Sequence, residues 1–169
     1  MNILLVNDDG YKSIGILSLA KKLSKNHKVT VVAPQKCSSG MSHAMTFNKP
    51  VTLQKIENEF FDCYATSGTP ADCVKIGLSL MAGNPPDLVI SGINDQANLG
   101  TDVAYSGTVS AAMEASLEGL KAIAVSSEIE KEEDFEYVTN YFIENLPFYL
   151  KLVSQTYCIS VIINSPSIG

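Results

Sequence analysis

Two adjacent carboxylates, Asp8 and Asp9, follow the chain's first apolar run, Asn2 to Val6, within Asn7-Asp8-Asp9-Gly10. Side by side they repel each other and repel any phosphate. They become useful when a hard divalent cation sits between them and a substrate, because Mg²⁺ or Mn²⁺ takes oxygen ligands and bridges to phosphate. A plain turn is the alternative, since Asp and Gly are ordinary turn residues. Three later segments offer complementary groups. Ser38-Ser39-Gly40-Met41-Ser42 brings hydroxyls and backbone N–H groups at a Gly turn, suited to cradle an anion or complete a metal shell. Ser91-Gly92-Ile93-Asn94-Asp95-Gln96-Ala97-Asn98-Leu99-Gly100 brings the Asn94 carbonyl, a neutral oxygen for a hard cation. Tyr105-Ser106-Gly107-Thr108-Val109 opens a helix with hydroxyls and N–H groups at the positive end of its dipole, a ready phosphate site. Taken singly, these are a Ser/Gly loop, an Asx-rich turn and an ordinary cap. Together they follow predicted strands on one rim, where open α/β sheets bind ligands.

The elements needed to position them are legible in the hydrophobic pattern. Asn2 to Val6 has buried-strand character, and apolar residues recur at helical spacing from Ile14 to about Lys25. Lys28 to Ala33 is a second strand, stopped by Pro34. Met45 to Ile56 alternates around Asn48-Lys49-Pro50 and predicts a hairpin, extended by Phe60 to Thr66. Thr69-Pro70-Ala71-Asp72 predicts a capped helix start, running to about Ala82 before Gly83. Asp87 to Ser91 is a buried strand, Thr108 to Leu117 a helix, and Ala122 to Ser126 another strand. Glu128 to Asp134 is a charge run leading, in solvent, to a helix over Phe135, Val138, Phe142 and Leu146. Pro147 should break or restart that helix, and Tyr157 to Ile163 closes the series as a strand. This alternation predicts an α/β, Rossmann-like three-layer α/β/α fold with a mostly parallel sheet and a small β-hairpin extension.

A chain of 169 residues that is 46% hydrophobic carries a core of about one domain. A net charge of −6 argues against binding a nucleic acid polymer, which calls for a basic stripe, while leaving room for a small anion offset by a metal. Cys37, Cys63, Cys73 and Cys158 have no CxxC spacing and no companion His cluster, so neither zinc nor a disulfide framework is indicated. Free thiols suit a reducing cytosol. The first apolar run lacks the length and basic flank of a signal peptide, and nothing approaches membrane-spanning length. The expectation is a cytoplasmic protein without a membrane partner.

Ile3-Leu4-Leu5-Val6-Asn7-Asp8-Asp9-Gly10, Val32-Ala33-Pro34, Ser39-Gly40, Gly68-Thr69-Pro70-Ala71-Asp72-Cys73-Val74, Ser91-Gly92-Ile93-Asn94, Asn98-Leu99-Gly100 and Tyr105-Ser106-Gly107-Thr108-Val109 resemble, in order and spacing, the SurE (survival protein E) family. The resemblance runs the whole chain. It implies a metal-dependent phosphatase of the cytoplasm acting on nucleoside monophosphates, a 5′/3′-nucleotidase, with polyphosphate a further substrate of some members. It implies one Mg²⁺ or Mn²⁺ held by Asp8, Asp9, Ser39 and Asn94. Ser39, Gly40, Asn94, Asn98, Ser106, Gly107 and Thr108 then form the substrate and phosphate contacts, and one of Asp8 and Asp9 also handles a proton. Relatives form homodimers or tetramers.

Departures from the family pattern are local. Tyr11-Lys12-Ser13-Ile14-Gly15 stands where an Ala-Pro usually precedes the second glycine, and Ser38 where a basic residue is common. Residues 1–169 are read as a single domain ending at Ser165-Pro166-Ser167-Ile168-Gly169, without the C-terminal part that in relatives supplies β-structure and a subunit-exchange element. His27 and His43 are read as bystanders, each a lone histidine without a paired carboxylate. Rival readings are a non-catalytic relic or a subunit completed by another chain, and a receiver-type Mg²⁺-binding domain. The receiver reading fits the acidic pair but lacks its acceptor carboxylate, since Ser91-Gly92 follows the Asp87–Ile90 run. A dinucleotide-binding domain would want glycines in place of Asp8 and Asp9.

Overall fold

The computed structural model describes residues 1–155 and 160–165. The strands are β1 (Asn2–Val6), β2 (Lys28–Pro34), β3 (Leu53–Ile56), β4 (Asp62–Thr66), β5 (Leu88–Asn94), β6 (Ala122–Ser127) and β7 (Ser160–Ser165). The helices are α1 (Ile14–Leu23), α2 (Pro70–Leu80), α3 (Asp102–Tyr105), α4 (Gly107–Leu117) and α5 (Asp134–Gln155). All seven strands share one sheet in the order β3-β4-β2-β1-β5-β6-β7, parallel throughout except for the β3–β4 pair. Helices α1 and α5 pack on one face, α2 and α4 on the other, which gives the expected three layers. Strand alternation splits β1 between two cores: Ile3 and Leu5 face Ile16, Leu19 and Phe142, whereas Leu4 and Val6 face Val74, Val109 and Ala112. Burial on both faces explains why β1 reads as a continuous apolar run. No helix among the described residues is long and apolar enough to cross a membrane.

Helix α2 starts where the sequence predicts. Thr69 accepts from the Asp72 N–H at 3.1 Å and Asp72 accepts from the Thr69 N–H at 2.9 Å, a reciprocal capping box with Pro70 in the first turn. Three expectations are corrected. The hairpin is formed by β3 and β4, with its turn over residues 57–61, and Met45 to Thr52 has no regular structure. Pro50 lacks an N–H for a ladder, and the Thr46 N–H bonds instead to Asp72 Oδ1 at 3.1 Å. Helix α5 runs as 22 residues straight through Pro147. Its apolar stripe of Val138, Phe142, Leu146, Tyr149 and Val153 stays buried across the proline, and that packing offsets the lost hydrogen bond. Strand β5 continues to Asn94 instead of ending at Ser91, with a register shift against β6 between Ser91 and Asn94. Of the predicted last strand, Tyr157 to Ile159 lies outside the described residues, as does Cys158.

Strand β1 sits where the sheet order reverses direction, with β2 on one side and β5 on the other. Chain leaving the carboxyl ends of β1, β2 and β5 therefore meets in a single crevice, the usual ligand position of an open α/β sheet.

Candidate active site

The turn after β1 is shaped by a residue that sequence reasoning passed over. Asn7, fully buried, donates through Nδ2 to the Gly10 carbonyl at 3.0 Å and Ser13 Oγ at 2.8 Å, and its Oδ1 accepts from the Gly10 N–H at 3.2 Å. This Asx turn holds Asp8 and Asp9 at the rim; the preference of Asn for such turns was the available signal. The Asp8 carbonyl accepts from the Ser38 N–H at 2.7 Å, which ties the Ser39–Gly40 loop to the acidic pair.

Asp8 is buried beneath the rim, with Oδ1 accepting from Thr108 Oγ1 at 2.6 Å. Burial pushes its carboxyl above the ordinary value, while hydrogen bonds from the Thr108 side chain and backbone pull the other way. Asp9 is only part-buried but is pushed up to about 7, first by burial and then by the charges of Asp8 and Asp95. Helix α4 can come this close because Gly107 has no side chain: a Cβ there would lie 2.8 Å from Asp8 Cβ and 3.0 Å from Pro70 Cγ.

The opposite wall comes from β5 and the loop after it. At Gly92 (φ 130°) a Cβ would lie 2.2 Å from the Val125 carbonyl oxygen, so only glycine fits the register shift that aims Asn94 at the crevice. Asn94 Nδ2 donates to the Gln96 carbonyl at 2.6 Å, which leaves Oδ1 as its group for the cleft. Asn98 is set the other way round. Its Oδ1 accepts from Ser106 Oγ at 2.9 Å and Ser126 Oγ at 2.8 Å, leaving the NH₂ as a donor. The Asn98 backbone is clamped by Asn164, whose Oδ1 accepts from its N–H at 2.8 Å and whose Nδ2 donates to its carbonyl at 3.1 Å. Ser106 also caps α4, accepting from the Val109 N–H at 3.1 Å.

These walls enclose a cleft of about 360 Å³ lined by Asp8, Asp9, Ser39, Gly40, Asn94, Asn98 and Ser106, together with Cys37, Asp95, Gln96, Asp102 and Tyr105. Seven of the predicted site residues therefore share one cavity. Gly107 and Thr108 lie behind it and reach it through Asp8. No group of three His, Cys, Asp or Glu side chains among the described residues is placed to hold a metal. A cation here would accordingly be held by a mixed oxygen set: the Asp8 and Asp9 carboxylates, Asn94 Oδ1 and Ser39 Oγ. The site's own electrostatics fit such an ion, since buried carboxylates with raised proton affinity carry charge that a hard cation would neutralise. Among the described residues lining the cleft, four are carboxylates and none is basic.

The sequence compares directly with known proteins. A family model described as Survival protein SurE matches residues 3–168. The chain belongs to the SurE family. A 5′-nucleotidase SurE of Thermosipho africanus is 57% identical over 128 residues, covering 75% of this chain and 50% of that protein. One from Thermosipho melanesiensis is 48% identical over 170 residues, covering 99% of this chain and 66% of that protein. The crystal structure of a SurE protein from Aquifex aeolicus superposes with a TM-score of 0.84 at 38% identity, covering 99% of this chain and 67% of that one. The chain thus spans about half to two thirds the length of the curated SurE relatives it matches. Membership of the SurE family sets the receiver and dinucleotide-binding readings aside.

One expectation about histidine is corrected by the geometry. His43 does have a carboxylate partner, Glu114 on α4, with Nε2 and Oε2 2.7 Å apart. Periodicity could not reveal it, because 71 residues separate the two.

Proposed function

We propose that this SurE-family chain is a divalent-metal-dependent phosphomonoester hydrolase acting on nucleoside monophosphates in the cytoplasm, with residues 1–169 forming one domain. The observation that carries the reading is the Asp8–Asp9 pair, semi-buried in the crevice with raised proton affinity and facing neutral oxygen ligands and amide donors. The relatives named 5′-nucleotidase SurE support the substrate class.

Asp8, Asp9, Asn94 and Ser39 would hold one Mg²⁺ or Mn²⁺. Such an ion, when bound, supplies Lewis-acid polarisation of the phosphoryl group and a lowered pKa for water. The chain's own groups do the rest. Thr108 aims the Asp8 carboxylate through its hydrogen bond and opposes the effect of burial on its proton affinity. The Asn98 NH₂, its oxygen engaged by Ser106 and Ser126, is the side-chain donor for a phosphoryl oxygen, with Gly40 lining the same cleft. Donors fixed in advance stabilise developing charge without reorganising during reaction. One of the two carboxylates, Asp8 or Asp9, would also take a proton from water. The exposed Tyr105, which lines the cleft, leaves a nucleoside an apolar surface to lie against.

The test is phosphate release from a panel of 5′- and 3′-nucleoside monophosphates and polyphosphate, with Mg²⁺, Mn²⁺ or EDTA. Turnover that EDTA abolishes is the expected result. Undiminished turnover in EDTA, or none from folded protein with either metal, would contradict the proposal.

A further inference from the structure

The segment that carries Ser39 and Gly40, residues 35–52, has neither helix nor strand. Between its ends, where the Gln35 N–H bonds to the Thr66 carbonyl at 2.8 Å and the Thr52 N–H to Ser67 Oγ at 2.9 Å, its placement depends on a few attachments. Ser38 N–H bonds to the Asp8 carbonyl at 2.7 Å, Ser42 N–H to the Tyr105 carbonyl at 3.0 Å, and Thr46 N–H to Asp72 Oδ1 at 3.1 Å. The fourth attachment is the contact between His43 and Glu114, which joins the segment by a side chain to the body of α4. Helix α4 is the one that begins with Gly107 and Thr108 behind Asp8. Ser42, just before His43, has a φ of 51°, a left-handed conformation that a serine keeps only when its surroundings hold it.

Glu114 shows what the contact is for. It is a buried carboxylate, and its other oxygen lies 3.3 Å from Lys75 Nζ on α2, which also pairs with Glu118. Lys75, though shared with Glu118, already gives Glu114 a cationic partner, so the burial of that acid does not rest on His43 alone. The contribution of His43 falls on the loop. We propose that His43 is a positioning residue: clasped by Glu114, it fixes the Ser39–Gly40 loop against α4 so that Ser39 meets Asp8, Asp9 and Asn94 at one point. The inference rests on the metal-site reading above and adds to it a residue that touches neither ion nor substrate.

The experiment compares the wild-type chain with His43→Ala and His43→Gln by amide hydrogen exchange and by Mn²⁺ binding, followed through the paramagnetic signal of free Mn²⁺. In His43→Ala, exchange should quicken over residues 38–46 and stay unchanged in β1 and β5. Mn²⁺ affinity should fall about tenfold, as removal of groups that orient ligands usually causes. The Mn²⁺ concentration for half-maximal phosphate release should rise in step, with the rate at saturating Mn²⁺ within about twofold of wild type. His43→Gln, whose amide can still donate to Glu114, should recover most of both effects. Wild-type loop exchange and wild-type Mn²⁺ affinity in folded His43→Ala would overturn the proposal. So would acceleration spread equally through β1 and β5, which marks general destabilisation. If His43→Ala does not fold, His43→Leu, which fills the space without a polar group, gives the same reading, with unchanged loop exchange and Mn²⁺ affinity counting against the clasp. A wild-type chain that neither binds Mn²⁺ nor releases phosphate would remove the metal-dependent reading itself, while the loop-exchange comparison still judges the clasp.

Discussion

Asp9 illustrates how a single side chain sets both chemistry and stability. Its carboxyl is pushed up to about 7 in the fold from an unfolded value near 3.8. A carboxyl raised by folding binds more protons in the native state, so the metal-free protein loses stability as pH rises through the interval from about 4 to 7. A tenfold change in proton affinity is worth about 1.4 kcal/mol, or roughly 3–6 °C for a chain of this size. Solvent reaching the part-buried side chain screens some of that total. Asp9→Asn should therefore raise the melting temperature in EDTA at pH 7.5 by about 3 °C or more, with little change at pH 4, in thermal melts at the two pH values. Thr108 acts in the opposite sense on Asp8. Thr108→Val keeps the buried shape but removes the 2.6 Å hydrogen bond, so Asp8 should bind protons more tightly. The rate at fixed sub-saturating Mn²⁺ should then drop about tenfold at pH 6.5 and less at pH 8, a pH profile being the check. Asp8, Asp9 and Asn94 stand out in the sequence because their types suit a hard cation, Ser39 only through the family resemblance, and all four line one cleft. Asn7, Asn164 and the His43 partner do not stand out, because their roles lie in hydrogen bonds made after the chain has folded.

Elements place these residues by close approach, and Gly107 is where a helix comes directly against Asp8. Gly107→Ala would drive a Cβ to 2.9 Å from Asp8 Oδ2, so α4 or the β1 turn must move. Overpacking of this kind costs about 1–3 kcal/mol. A lowered melting temperature together with at least a tenfold fall in phosphate release at saturating Mn²⁺ is expected, and the alanine variant's melt and kinetics check it. The start of α2 was readable because Thr69, Pro70 and Asp72 are local signals for a helix N-terminus. The continuity of α5 through Pro147 was not, because the burial of Tyr149 and Val153 is decided by the sheet beneath them. Likewise the extension of β5 through Gly92 depends on β6 lying alongside, which no local pattern states.

At the scale of the molecule, the sheet order puts three strand ends and one helix start around a cleft whose lining bears four carboxylates. That arrangement was predictable in outline from alternating strands and helices, and the α/β class with its one antiparallel pair follows from it. A site so charged should make the fold responsive to metal. At a free Mn²⁺ concentration a hundred times the dissociation constant, the ion should add about 2.7 kcal/mol of stability. The melting temperature should rise by roughly 5–10 °C and fall back in EDTA. The central claim is that the rim of β1, β2 and β5 forms one oxygen-donor cation site, and equilibrium titration with Mn²⁺ tests it most directly. Wild type should bind one ion per chain, and Asp8→Asn should bind it at least about a hundredfold more weakly. Equal binding by the two proteins, or no stoichiometric binding by folded wild type, would contradict the account.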